Sequence, residues 1–85
     1  MEGVFELVKE RTKESGRSLA QVAAHLGIQY QTLFKTLNHA PKIGYLKRIA
    51  DFIGCDLHEL IPTGSRFEHY YQDKKEWKGI RPKAW

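Results

Sequence analysis

The stretch SLAQVAAHLGIQYQTLFKTLN, Ser18 to Asn38, holds two apolar runs at helical spacing with Gly27 between them. Each run is only about ten residues, below the ~12–15 at which an isolated helix becomes even marginal in water. They must therefore lean on each other and on the rest of the chain. Ser18 reads as the N-cap of the first run, and Gln21 completes a capping box. Leu19, Val22, Ala23 and Leu26 make its buried face. Gly27 supplies a left-handed turn that a side chain would strain, and Ile28 plugs that turn. The next helix covers about Tyr30 to Leu37 with Leu33 and Leu37 inward; Asn38 suits its C-terminal end, and Pro41 forbids continuation.

The rest of the chain supplies the partners. Met1, Val4, Phe5, Val8 and Thr12 recur at helical spacing, with Leu7 at the stripe's edge, which predicts a first helix from about Gly3 to Glu14, stopped by Ser15-Gly16. Ile43, Leu46, Ile49, Ala50 and Ile53 form a fourth helical stripe closed by Gly54. Asp56 with Glu59 is a second capping box, opening a short fifth helix over Leu57 to Leu60 that Pro62 ends. The fold class expected is all-α, five short helices over residues 1–62, followed by an aromatic C-terminal extension over residues 63–85. That extension carries Phe67, Tyr70, Tyr71, Trp77 and Trp85. Its strand-like segments Phe67–Tyr71 and Glu76–Ile80 flank the polar QDKK, so a β-hairpin is the first reading. A helix opened by a Ser65/Glu68 box and ended at Gly79 competes. Either form would cover a face of the bundle or a second subunit.

Eighty-five residues suit one domain, and the net charge of +4 suggests a polyanionic partner. The distribution is more telling than the total. From Gln29 to Ala50 the chain has Lys35, Lys42, Lys47 and Arg48 and no acid at all, which points to an anion-facing surface; of Lys42, Lys47 and Arg48, one or two are expected to reach phosphate and the rest to be solvated. The single Cys55 excludes an internal disulfide and reads as a small buried apolar residue in a reducing compartment. His25, His39, His58 and His69 have no metal-ligand spacing, and neither a nucleophilic triad, a glycine-rich phosphate loop nor a paired carboxylate site is present. No metal, cofactor or enzymatic activity is expected. The N-terminal MEGVFELVKERTK meets charge every few residues, and no apolar run approaches the ~18 residues of a membrane span, so a cytoplasmic location is expected.

A helix capped at Ser18, a turn at Gly27 and a second helix crossing the first match a helix-turn-helix, with Ala23 letting the two axes approach. The second helix is then pushed outward, where it can enter a DNA major groove. Its outward positions Gln29, Tyr30, Gln31, Thr32, Phe34 and Lys35 offer amide, hydroxyl, ammonium and aromatic groups suited to base edges and phosphates. This stretch, followed by YLKRIADFIGCDLHELI, resembles the Cro/repressor-type (XRE) helix-turn-helix family, in which L-x-x-I-A-x-x-x-G closes the fourth helix and L-x-E-L makes the fifth. The likeness covers roughly Phe5 to Ile61. It implies a lambda-repressor-like fold and a sequence-specific transcriptional regulator, a repressor, acting on double-stranded DNA as a homodimer. It further implies that Tyr30, Gln31 and Lys35 read bases beside Thr32 and Phe34. By the same likeness Gln29 grips a phosphate, and Asn38, His39 and the loop to Lys42 hold the backbone. Two positions depart from the family pattern: Leu19 stands where a DNA-touching Gln is common, and Gln29 stands where a Ser or Thr N-cap is usual. Leu19 and Phe34 leave open a protein-interaction module of the same fold that does not bind DNA; an antitoxin whose tail grips a toxin is the rival within DNA binding.

Overall fold

The computed structural model describes residues 3–73 and 76–83. Met1, Lys74, Lys75 and Trp85, which enter the sequence reading, lie outside them. Four helices form where the apolar stripes place them: α1 (Val4–Glu14), α2 (Leu19–Leu26), α3 (Tyr30–Asn38) and α4 (Ile43–Ile53). Each end has a local cause. At α1 the Glu6 carboxylate accepts the Gly3 amide at 3.1 Å. At α2 the Ser18 amide donates to the Gln21 side chain at 2.8 Å, and the Gln21 amide returns a bond to Ser18 Oγ at 3.1 Å. Gly27 stands at φ +73°, the left-handed geometry that lets α3 cross α2.

The expected all-α class is corrected by the remainder of the chain. The tail is an antiparallel hairpin, β1 (Phe67–Gln72) paired with β2 (Glu76–Pro82), so the protein is mixed α and β. The competing helix does not form. Glu68, which would have closed its capping box, instead accepts from Arg81 Nε across the strands at 3.2 Å, and the aromatics of β1 suit a pleated surface. The expected fifth helix is also corrected. Leu57–Leu60 is a single 3₁₀ turn, held by bonds from the Glu59 amide to the Asp56 carbonyl at 3.0 Å and from the Ile61 amide to the His58 carbonyl at 3.2 Å. Pro62 leaves no residues for a second turn.

The core gathers Val8, Val22, Ala23, Leu26, Leu33, Leu37, Leu46, Ile49, Ala50, Ile53 and Leu60. Leu7, read as the edge of its stripe, is buried too, outside the main cluster and in a cleft shared with Pro62, Phe67 and Tyr71. Ile43 departs in the other direction, 64% exposed. As the first residue of α4 its side chain leans back past the helix end and away from the bundle. Among the described residues no helix is long and apolar enough to cross a membrane.

The hairpin docks on its own bundle at its turn end. Tyr71 and Trp77 are register partners and both half-buried. The Arg11 guanidinium of α1 lies over the Tyr71 ring at 4.5 Å. The sheet carries one bulge: Tyr70 faces Gly79 and Tyr71 faces Trp77, leaving Lys78 unpaired. Gly79 takes φ +130° there, a conformation closed to most side chains. Phe67 and Ile80, toward the open end, remain exposed.

Candidate nucleic-acid interface

Helix α3 packs against both α1 and α2. Leu33 and Leu37 bury its inner face. With 3.6 residues per turn, Gln31, Lys35 and Asn38 fall on the opposite side. All nine residues singled out from the sequence, Gln29, Tyr30, Gln31, Thr32, Phe34, Lys35, Asn38, His39 and Lys42, are exposed. They lie on this helix and in the segments just before and after it. Lys47 and Arg48 are exposed on α4.

Two of the nine are partly committed within the protein. Asn38 Nδ2 donates to the Phe34 carbonyl at 2.9 Å, which ties its amide to the end of its own helix and leaves the side-chain oxygen outward. Phe34 meets Phe5 of α1 edge-on, with ring centroids 4.9 Å apart at 69°. Phe34, expected beside the base-reading residues, therefore also has a neighbour within the protein that its place on α3 does not reveal. Leu19 packs half-buried against the core at the start of α2.

The caps divide the molecule. α1, α2 and the 3₁₀ turn each begin with a side chain bonded to a backbone amide. α3 and α4 begin at Gln29 and Lys42 with no side-chain cap, and neither has an acid in its first turn. The first intrahelical bond of α3 runs from the Leu33 amide to the Gln29 carbonyl, so the Tyr30, Gln31 and Thr32 amides are left to solvent or a partner. Such a terminus carries partial positive charge, and the acid-free block around it adds to the field. The weak cap at Gln29 is legible in the sequence; the bare start of α4 at Lys42 is not, because a lysine after a proline loop carries no capping signal. The connecting loop holds Ala40 at φ +50°, a left-handed conformation unfavourable for alanine.

The other three histidines have local structural partners. His25 stacks on Phe52 at 4.2 Å. His58 Nδ1 lies 2.7 Å from Asp56 Oδ1, and His69 is engaged by Trp77. Among the described residues no cluster of histidine, cysteine or acid is arranged to hold a metal. Burial pushes the Cys55 thiol up to about 12, with the nearby Glu59 carboxylate adding to it, so it stays protonated at neutral pH and is a poor nucleophile. The Asp56 carboxyl is held below its ordinary value by the His58 amide, which it accepts at 2.8 Å. Burial, opposed by Arg11 and reinforced by Glu59, pushes the Tyr71 phenol up to about 12. These perturbed groups gather at the hairpin and the 3₁₀ turn, away from α3. Compared with family models, curated proteins and solved structures, the chain gives no significant match, so the Cro/repressor resemblance rests on the residues quoted for it.

Proposed function

We propose that this protein is a sequence-specific binder of double-stranded DNA, a transcriptional repressor of the Cro/repressor type, with α3 as its reading helix. The observation that carries the reading is the coincidence of three properties on α3: an outward face of amide, hydroxyl and ammonium groups, no acid from Gln29 to Ala50, and an uncapped N-terminus. Phosphates would sit at the helix starts and at Lys35 and Lys42, and base edges would meet Gln31 and Tyr30. One α3 spans only a few base pairs, so useful specificity calls for two copies about 34 Å apart. Phe67 and Ile80, exposed near the hairpin's open end, supply apolar surface for that dimer contact.

The test is affinity for duplex DNA at two or more salt concentrations. With about 4–6 phosphates neutralised per dimer, the log–log slope is expected near −4 to −5. Failure to bind any duplex at low salt would overturn the reading in favour of a protein-interaction module. Sedimentation of the intact chain and a Phe67→Ser/Ile80→Ser variant tests the dimer: equal masses would remove the hairpin from the interface.

A further inference from the structure

Tyr30 and Phe34 lie one turn apart on the same side of α3, 47% and 46% exposed, although the helix's other large apolar residues are fully buried. Phe34 is braced edge-on against Phe5, so its ring is a fixed surface rather than a floppy one. Around the pair stand Gln29, Gln31 and Lys35, with Lys42 beyond the helix and no acid anywhere in the block. That field selects a polyanion as the occupant. Resting on the reading of α3 as a DNA-reading helix, we propose that the base pairs beneath its first two turns are A·T pairs recognised through the 5-methyl groups of thymine, which seat against Tyr30 and Phe34.

The chemistry of the groove leads to that choice. Base edges in the major groove present nitrogen and oxygen donors and acceptors, and their one apolar projection is the thymine methyl. The Phe34 ring pressed on guanine N7 and O6 strips their water and returns no hydrogen bond. The same ring pressed on a methyl buries apolar surface on both sides. Gln31, next to Tyr30, carries the amide that fits adenine N6 and N7. The arrangement also separates DNA from RNA, because uracil lacks the methyl and the A-form major groove is too deep and narrow for side chains to read.

The experiment starts from a duplex selected out of random sequence by the full chain. Each thymine is then replaced in turn by deoxyuridine, which removes the methyl and keeps the base pair. One or two positions per half-site are expected to lose affinity about fourfold each, the factor for one buried methyl, and the rest to be neutral. In Phe34→Ala, with its helical content checked by circular dichroism, one of those positions is expected to become insensitive. A well-selected duplex in which every deoxyuridine is neutral would overturn thymine reading and leave DNA reading intact. No preference for any duplex over random sequence would overturn both, and would assign the aromatic pair to a protein contact.

Discussion

The indole N–H of Trp77 donates to Nδ1 of His69 at 3.0 Å, and Nε2 of the same imidazole lies 2.9 Å from the Ile61 carbonyl. Indole nitrogen only donates and a carbonyl only accepts, so the imidazole takes one role at each nitrogen: acceptor at Nδ1, donor at Nε2. Two strands are thereby fastened to the segment that ends the bundle.

Replacing Trp77 by Phe keeps a ring against the bundle and removes the donor. The hairpin is expected to lose about 1 kcal/mol of docking, read from the denaturant midpoint. The helical signal below the transition should be unchanged. An unaltered midpoint would mean that the chain Trp77–His69–Ile61 holds nothing in place.

Tyr71 gives the protein a sensitivity to alkali. Its phenol is raised from 10.0 to about 12 in the fold, so between those values the folded chain binds more protons than the unfolded one. The stability tied to Tyr71 is therefore complete below pH 10 and lost as pH rises toward 12. Tyr71→Phe should flatten the dependence of thermal midpoint on pH in that window. A slope there identical to the parent's would assign it to other groups.

Ala40 tolerates a backbone conformation that glycine adopts freely. Ala40→Gly removes the left-handed penalty of about 1–2 kcal/mol and adds back part of it as unfolded-state entropy. A net stabilisation of about 0.5–1 kcal/mol is expected, a rise in melting temperature of roughly 2–8 °C for a chain this size. A fall in melting temperature would contradict the strain.

Reading and gripping separate at Gln31 and Lys42. Gln31→Ala should cost about 1–3 kcal/mol on the preferred duplex and relax the preference at one base position. Lys42→Ala should weaken all duplexes alike and reduce the salt slope by about one. Equal losses on specific and random DNA for Gln31→Ala would misplace α3.

The four helices were legible because their causes are local. The capping pair Ser18 and Gln21, the left-handed Gly27 and the apolar spacing of α4 all act within a turn or two of the chain. What escaped the sequence depended on distant partners. Leu7 is buried among residues more than fifty positions later, Pro62 and the hairpin's Phe67 and Tyr71, and Ile43 at the start of α4 is left exposed. The choice between hairpin and helix in the tail turned on Glu68, which has a capping use nearby and a cross-strand use at Arg81; the sequence carried both. At the candidate interface, exposure of the six residues on α3 was legible from the phase of Leu33 and Leu37. The brace between Phe5 and Phe34 was not, since it depends on the angle at which α1 crosses α3.

The missing cap at Gln29 also has a kinetic consequence. With no side chain over them, the amides of Tyr30, Gln31 and Thr32 rely on water alone, and their hydrogens should exchange with deuterated solvent among the fastest of any helical amides in the chain. Helix α2, closed by Ser18 and Gln21, should hold its first-turn hydrogens longer. An anion settling on the start of α3 would slow those three amides before the packed core registered its arrival, so a poorly protected turn is also a sensitive reporter.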